Sequence, residues 1–163
     1  MPGPVTAAEF KAAMSSFGAG VTVVTTLDSA GAPAGLTVTA FSSVSKTPPL
    51  CLVCIGHQAD AYPIMRTARS FAVNVLASNQ AAIAMRFATH GIDKFEGVRV
   101  HPGPARACPL IDGTLAALEC SVTNVVVAGD HDVLIGTIEH VEVRDGEALA
   151  YFRGRYCDVV PRP

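Results

Sequence analysis

Charged residues are scarce in this sequence, and their scarcity excludes two broad classes of protein. Asp, Glu, Lys and Arg make up 16% of the 163 residues, against about 25% in an average soluble domain, and 50% are hydrophobic. The 12 Lys and Arg against 14 Asp and Glu leave a net charge of −2, so the cation excess that drives non-specific nucleic-acid binding is absent. Disordered chains combine low hydrophobicity with high net charge, and this chain has neither. Because few charges are available to cover the surface, we expect the chain to form a homo-oligomer.

Long apolar runs and export signals are also missing. The longest apolar run covers residues 50–55, far short of the roughly 18 residues that a membrane-spanning helix needs. The first residues, MPGPVTAAEF, contain neither a basic nor an apolar segment of the kind that marks secretion. The 5 cysteines are an odd number, which argues against a disulfide framework. We therefore expect a cytoplasmic protein with reduced thiols, no membrane partner and one domain over residues 1–163.

Several catalytic signatures do not occur. There is no nucleophile elbow, no Walker loop and no GxGxxG fingerprint, so hydrolase, nucleotide phosphatase and Rossmann functions have no motif to support them. The carboxylates are scattered, without the close pair of a glycosidase. Cys51 and Cys54 have CxxC spacing but lie in a predicted strand, where side chains three positions apart point to opposite faces. We therefore expect structural thiols and no metal site.

The sequence does contain many short strand patterns and a few helical ones. Thr6 and Glu9 have capping-box spacing, and the apolar residues after them predict a helix over residues 7–17. Further helices are predicted over residues 61–67 and 80–88, the second capped by Ser78. Runs of β-branched and apolar residues predict strands over residues 21–27, 36–41, 50–55, 71–76, 116–127, 133–143 and 149–152.

These strands do not alternate regularly with helices, which favours a mainly β fold, a β-barrel with flanking helices, over a doubly wound sheet. Gly129-Asp130 and Asp145-Gly146 predict hairpin turns. The strand at residues 50–55 is almost entirely apolar, which predicts burial on both faces. Residues 90–109 form a connection too long to be idle in a compact domain.

Hydroxyl side chains are concentrated near the second strand, at Thr37, Thr39, Ser42, Ser43 and Ser45. Thr37, Thr39 and Phe41 share one face of the predicted strand, and Ser43 extends this face if the strand continues. The face could bind a flat ligand that carries phosphate, or it could be an ordinary half-exposed strand rich in Thr. The residues alone leave both interpretations open.

His131 is the histidine best placed for function. It follows the Gly129-Asp130 turn, from which a side chain can reach a cleft. The other histidines are dispersed, without the spacing of a metal site.

Several further segments are weak signals singly but specific in their order and close spacing: MSSFGAGVTVVTT, GLTVTAFSSVSKTPPLCLVCI, SFAVNVLASNQAAIAMRFA followed by KFEG, PLIDGTLAALEC, GDHDVLIGTI and LAYFRGRY. In these segments the chain resembles the short-chain flavin reductases, and the resemblance extends over residues 10–156. These reductases are FMN-binding split-barrel proteins. Members of this family serve as reductase components of two-component flavin-dependent monooxygenases. The resemblance implies a homodimeric six-stranded Greek-key split barrel with flanking helices.

The resemblance also implies two binding sites. The flavin ring is expected along Thr37, Val38, Thr39 and Ala40, with Ser43 nearby, and along Cys54, Ile55, Gly56, Ala59 and Asp60. Arg86 and Phe87 are expected at the phosphate and adenine side, with Lys94 and Phe95 close to them. His131, Tyr151, Arg153 and Gly154 are expected to face the nicotinamide nucleotide. Many members carry Asn-Ser where this chain has Thr39-Ala40, which leaves the choice between FMN and FAD open.

The activity implied is that of an NAD(P)H:flavin oxidoreductase, which passes a hydride from NADH or NADPH to the flavin and supplies reduced flavin to a monooxygenase by diffusion. Backbone N–H groups near residues 39–41 or 54–56 are expected to stabilise the negative charge that hydride transfer brings to the flavin. Arg86 and Lys94 are expected to meet phosphate, and His131 to position the nicotinamide nucleotide. Two alternatives stay open: a non-catalytic split-barrel protein that stores flavin or haem, and a reductase that uses the deazaflavin F420.

Overall fold

The protein, as a computed structural model, is described over residues 3–160 and at residue 162. Its helices are α1 (Ala7–Ser15), α2 (Tyr62–Met65) and α3 (Ala81–Ala88), the last preceded by a 3-10 turn at Ser78–Gln80. Its strands are β1 (Ala19–Gly20), β2 (Thr22–Leu27), β3 (Pro33–Val38), β4 (Phe41–Lys46), β5 (Pro49–Gly56), β6 (Ser70–Val75), β7 (Val100–Pro102), β8 (Pro109–Ile111), β9 (Ala116–Ala128), β10 (His131–Val143), β11 (Leu149–Phe152) and β12 (Arg155–Asp158). The fold is therefore mainly β, as predicted.

The main sheet has seven strands in the order β3-β2-β6-β9-β10-β5-β4, and all neighbours are antiparallel. A three-stranded sheet, β1-β11-β12, and a two-stranded sheet, β7-β8, accompany it. Long runs of β-branched and apolar residues form the central strands, because such side chains pack well on a pleated surface. No helix in residues 3–160 has the length and hydropathy needed to span a bilayer.

The main sheet must curl, because its two edge strands are consecutive in the chain. β3 and β4 stand at opposite ends of the strand order, yet only Thr39 and Ala40 separate them. A link of this length spans about 10 Å at most. The two edges therefore approach each other at residues 39–40, which we call the strand joint. No ladder joins β3 to β4 in the described part of the chain, so the curled sheet stays open between these two strands.

Two large apolar clusters fill most of the interior, and a smaller third one contains Ala72, Cys108, Leu110 and Ala117. One packs between the main sheet and α2 and includes Val24, Leu36, Val53, Ile55, Met65, Phe71 and Leu134. The other lies beneath α3 and includes Val21, Val23, Leu76, Ala84, Phe87 and Ile111. Each fully buried side chain of this kind stabilises the fold by about 1.5–3 kcal/mol.

Two local predictions are confirmed. Thr6 and Glu9 form the capping box: the Thr6 N–H donates to the Glu9 carboxylate at 2.8 Å, and the Glu9 N–H donates to Thr6 Oγ1 at 3.2 Å. α1 ends at Ser15, two residues before the predicted end. Cys51 and Cys54 point to opposite faces of β5, Cys51 fully buried and Cys54 half-buried, and all five cysteines are free thiols.

The predicted strand over residues 36–41 is wrong. The chain leaves the sheet edge at the strand joint and enters β4 on the far edge, so β3 ends at Val38 and a separate strand begins at Phe41. The expectation that Thr37, Thr39 and Phe41 share one continuous face fails for the same reason. The residues on both sides of the break all favour extended structure, so the sequence gives no sign of it.

Three smaller predictions are also wrong. β5 buries one face only, because Leu52, Cys54 and Gly56 lie half-buried on the other. Ser78 does not cap α3; instead the Gln80 side chain accepts the N–H of Ala77 at 2.9 Å. Asp145-Gly146 is not a hairpin turn, because β11 pairs with β1 and β12 rather than with β10.

The long connection between α3 and β9 is fixed by a buried carboxylate on β9. Glu119 is fully buried, and its carboxylate accepts the backbone N–H groups of Ala105 at 2.7 Å, Arg106 at 2.9 Å and Cys108 at 3.1 Å. The side chain of Arg106 pairs with Glu139 on β10. An ionised carboxylate can accept several hydrogen bonds at once, which suits it to holding a loop.

Candidate active site

A cleft of about 320 Å³ opens beside the strand joint. Small-molecule sites commonly enclose about 300–1,000 Å³, so its size suits a ligand. Its walls come from five parts of the chain. These are the end of β3, the strand joint, the end of β5 with the turn after it, α3 with the loop after it, and the start of β10. The lining residues are Leu36, Thr37, Val38, Thr39, Ala40, Cys54, Gly56, Gln58, Ala59, Phe87, Ala88, His90, Lys94 and His131.

The structure brings ten of the expected site residues together in this cleft: Thr37, Val38, Thr39, Ala40, Cys54, Gly56, Ala59, Phe87, Lys94 and His131. The others lie elsewhere, as described below: Ser43, Ile55, Asp60, Arg86, Phe95, Tyr151, Arg153 and Gly154. The sequence analysis missed Leu36, Gln58, Ala88 and His90. Leu36, Gln58 and Ala88 directly adjoin expected residues, but His90 lies in a connection without a motif.

The α3 wall of the cleft approaches β3 closely because of a glycine. A Cβ atom on Gly35 would lie 2.9 Å from Cε1 of Phe87, nearer than side chains tolerate. The Thr37 hydroxyl donates to the Ala84 carbonyl of α3 at 2.6 Å. This hydroxyl therefore fixes the helix against the sheet and is not available as a donor to a ligand.

The strand joint supplies backbone donors. No hydrogen bond within residues 3–160 uses the N–H of Thr39 or of Ala40. By contrast, the Cys54 N–H donates to the Ala40 carbonyl at 3.0 Å, which ties the joint to β5. Of the two backbone stretches expected to stabilise negative charge, residues 39–40 thus keep free donors, whereas Cys54 has used its own.

Lys94 provides a cation at one end of the cleft. Its side chain is 10% exposed, and Nζ lies 3.9 Å from Asp60 Oδ2. Burial lowers the pKa of Lys94 from its ordinary value, and the Asp60 charge opposes this shift. The other Asp60 oxygen accepts from His90 Nδ1 at 2.7 Å, and this hydrogen bond lowers the pKa of Asp60. Asp60 therefore orients Lys94 and His90 rather than lining the cleft itself.

Arg86 does not line the cleft. Its guanidinium donates to the carbonyl of Asp93 at 2.7 Å, to the carbonyl of Lys94 at 3.1 Å and to the Glu96 carboxylate at 2.9 Å. These bonds hold the loop that carries Lys94. Phe95, on the same loop, packs edge-on against Phe87 with ring centroids 5.0 Å apart.

His131 lines the cleft beside Gly56 and is the first residue of β10. Its Nδ1 lies 2.7 Å from Asp130 Oδ1, so Nδ1–H donates to this carboxylate and fixes the ring. Nε2 is then the ring atom nearest Gly56, where a Cβ atom would lie 3.3 Å away. The Gly129-Asp130 turn, with Gly129 at φ 66°, sets the start of this strand as predicted.

Three other residues that were expected to bind flavin differ in their position relative to the cleft. Burial raises the pKa of the Cys54 thiol, which stays neutral in the cleft. The Ile55 side chain is fully buried on the opposite face of β5, so only its backbone is near the cleft. Ser43 lies exposed on β4, opposite Cys51, and outside the cleft.

A second, more apolar cleft of about 610 Å³ adjoins the first at Thr39, which lines both. Tyr151, Arg153 and Gly154 line it together with α1. The Arg153 N–H donates to the Ser15 carbonyl at 2.9 Å, which links the β11–β12 turn to the end of α1. The α1 side of this cleft carries Phe10, Met14 and Phe17, which are 60%, 55% and 77% exposed; we call these three residues the α1 surface.

The described residues contain no group of three or more His, Cys, Asp or Glu side chains arranged to hold a metal ion. The first cleft combines apolar walls from Val38, Ala59 and Phe87, free N–H donors at the joint and a cation at one end. An isoalloxazine ring with a phosphate-bearing tail has the complementary properties, so the residues present fit a flavin.

Comparisons with known proteins agree with this fit. The flavin reductase like domain family matches residues 14–160. The reductase component of 4-nitrophenol 4-monooxygenase/4-nitrocatechol 2-monooxygenase of Rhodococcus opacus is 36% identical over 158 residues, which cover 97% of this chain and 84% of that one. The NADH:riboflavin 5'-phosphate oxidoreductase of Streptomyces pristinaespiralis is 40% identical over 138 residues, covering 85% of this chain and 77% of that one.

A solved structure is similar over almost the whole chain. The NADH:FAD oxidoreductase of Streptomyces globisporus C-1027, crystallised with NAD and FAD fragments, superposes with a TM-score of 0.88 at 34% identity. The match covers 94% of this chain and 93% of that one.

Proposed function

Since the chain belongs to the flavin reductase like domain family, we propose that the cleft beside the strand joint is where it binds FMN or FAD for reduction by NADH or NADPH. The protein is an oxidoreductase that reduces flavin with a nicotinamide nucleotide. The observation that carries the placement is the joint itself: two free N–H groups and a buried lysine border one cleft with apolar walls.

The chemistry needs orientation more than acid–base catalysis. When bound, flavin accepts at N5 the hydride that the nicotinamide donates from C4. The N–H groups of Thr39 and Ala40 donate to the ring edge that becomes negative, where preorganised donors have their largest effect. Lys94 and His90 receive the phosphate, and Val38 with Ala59 hold the ring in place, with the buried Phe87 packed behind this wall.

His131 positions the nicotinamide nucleotide. Asp130 accepts from Nδ1, which leaves Nε2 free to hydrogen-bond with the nucleotide. Tyr151, Arg153 and Gly154 meet the remainder of the nucleotide in the second cleft, which reaches the first at Thr39. Because these residues and His131 lie in different clefts, the nucleotide must cross Thr39 to touch both.

A second copy of the chain completes the second cleft. α1 has no buried residue, and its Phe10 and Met14, together with Phe17 just after the helix, lie open on one side of that cleft. A monomer rarely leaves so large an apolar surface exposed without a partner. A homodimer covers it, and we propose that six of the seven strands of the main sheet form the Greek-key split barrel of each subunit, as one domain.

The reduced flavin leaves for a partner monooxygenase by diffusion. The Rhodococcus opacus relative is the reductase component of such a system. Free thiols at all five cysteines suit a cytoplasmic location, where cysteines stay reduced.

The test crosses FMN and FAD with NADH and NADPH, using the purified protein and catalytic amounts of it. We expect steady oxidation of the nicotinamide nucleotide that requires added flavin. Stoichiometric flavin binding without turnover would instead identify a non-catalytic flavin-binding protein and refute the proposal. Comparing the rates of the four flavin and nucleotide combinations also establishes which flavin and which nucleotide are preferred.

A further inference from the structure

The turn after β5 forms one wall of the cleft and has little internal support. Gly56, Gln58 and Ala59 line the cleft from this turn. The turn has two backbone hydrogen bonds of its own: the Ala59 N–H donates to the Gly56 carbonyl at 3.1 Å, and the Tyr62 N–H donates to the Ala59 carbonyl at 2.9 Å. A short turn with so few bonds of its own needs an external anchor to keep its shape.

That anchor is Asp132, a carboxylate that is 3% exposed and lies next to His131 on β10. Its Oδ1 accepts from His57 Nε2 at 2.9 Å, and its Oδ2 accepts from the Tyr62 hydroxyl at 3.0 Å. His57 begins the turn and Tyr62 follows it, so one carboxylate holds the two ends. The His57 N–H also donates to the Asp130 carbonyl at 2.9 Å.

We propose that Asp132 is a positioning residue for flavin binding: through His57 and Tyr62 it fixes the cleft-lining turn beside His131. This inference rests on the proposed function, because it assigns a role toward the ligand of that cleft. Asp132 itself faces away from the cleft, since successive residues of a strand point to opposite faces.

The charged surroundings favour the ionised form that this role requires. The hydrogen bond from His57 lowers the pKa of Asp132, and the Tyr62 hydroxyl and the Arg66 charge act in the same direction against burial. Arg66 lies over the Tyr62 ring, 5.6 Å from its centroid, and Asp130 is the neighbouring carboxylate. Both oxygens of Asp132 are therefore acceptors at neutral pH, and a buried carboxylate needs such partners.

Glu119 provides a matched control. It is also a buried carboxylate on the β9–β10 hairpin that holds a loop, but no residue of its loop, 103–108, lines the cleft. Asp132→Asn and Glu119→Gln therefore remove comparable anchors, one beside the cleft and one away from it.

The experiment measures the dissociation constant of FMN and FAD by fluorescence quenching, the KM and kcat of flavin reduction, and the Tm, in the wild type and both variants. For Asp132→Asn we expect flavin Kd and KM to rise about tenfold while kcat changes much less, because the wall is displaced but the donors remain. Glu119→Gln should lower the Tm and leave flavin Kd within about twofold. Equal changes of Kd in the two variants, or none in Asp132→Asn, would overturn the inference.

Tyr62→Phe keeps the test decisive if Asp132→Asn does not fold. It removes one donor and leaves the His57 bond, so we expect flavin Kd to rise about threefold, with a fall in Tm that reflects one unpaired carboxylate oxygen. An unchanged Kd in this variant counts against the inference. A wild type that binds no flavin refutes the proposed function itself, which separates the two failures.

Discussion

The cleft beside the strand joint and the α1 surface both present large apolar side chains, but the chain covers them to opposite extents. Phe87 is fully buried between α3 and β3, whereas Phe17 is 77% exposed. The cleft is built by contacts between distant segments, such as Thr37 with Ala84 and Cys54 with Ala40. α1 is stabilised by its capping box and has no buried residue.

This difference indicates that the two ligands depend on the dimer to different degrees. One chain builds the cleft that we assign to flavin, and its walls are fixed before any partner arrives. The second cleft, which we assign to the nicotinamide nucleotide, has α1 as a wall that we expect another subunit to cover. On this view flavin affinity belongs to the single chain, while efficient use of the nucleotide belongs to the dimer.

Truncating one phenylalanine in each region should give the largest contrast. Phe87→Ala removes a fully buried ring, and we expect a loss of about 3–5 kcal/mol in the free energy of unfolding, measured in urea. Phe17→Ala should cost little at protein concentrations low enough to keep the chain monomeric. Similar losses for the two variants under those conditions would show that α1 is packed within the chain.

A charge on the α1 surface should separate the subunits. Met14→Asp places a carboxylate in the proposed interface, at a cost of about 3 kcal/mol or more, and we expect light scattering to give the mass of one chain. Flavin Kd should stay within about twofold while the KM for NADH rises. Ala13→Asp is the control, because Ala13 is exposed on the same helix but does not line the second cleft. A wild-type mass of one chain would refute the dimer.

Lys94→Ala tests the end of the first cleft. Loss of the cation should weaken FMN binding about tenfold, because charge-assisted hydrogen bonds are among the stronger ones. Added salt should weaken binding less in the variant than in the wild type. Lys46→Ala, which removes an exposed lysine of β4 outside the cleft, should leave Kd unchanged. Equal Kd values for wild type and Lys94→Ala would show that Lys94 does not bind the flavin phosphate.

His131→Ala tests the boundary between the clefts and should give the smallest effect. We expect the KM for the nicotinamide nucleotide to rise about fivefold, the value of one lost hydrogen bond, with flavin Kd nearly kept. His140→Ala changes a histidine that lines neither cleft and should alter neither constant. If both variants behave like the wild type, His131 does not touch the nucleotide.

Local chemistry in the sequence predicted the elements that depend on it. The Thr6–Glu9 spacing gave the start of α1, and the alternation of side chains along a strand separated Cys51 from Cys54. The long strands β9 and β10 were predicted within two residues at each end, because their apolar and β-branched pattern is sustained.

Features that depend on distant contacts could not be predicted in this way. The break at the strand joint follows from the curl of the whole sheet, and residues 36–41 favour a continuous strand locally. The family resemblance placed most of the cleft residues, but it did not indicate that Arg86 would bind its own loop or that Thr37 would bind α3. The partners His57 and Asp132 lie 75 residues apart, and no local pattern connects them.

The strand joint has a consequence for how this protein can change. Most connections between strands accept extra residues, since lengthening a surface loop costs little free energy. Here two residues set the gap between the sheet edges and also carry the amide donors that we assign to flavin. An insertion would change the gap between the sheet edges and the position of the amide donors at the same time. Variants with an altered ligand range should therefore differ by substitution along the cleft walls, while a change of length should be tolerated better at an exposed turn such as residues 28–32.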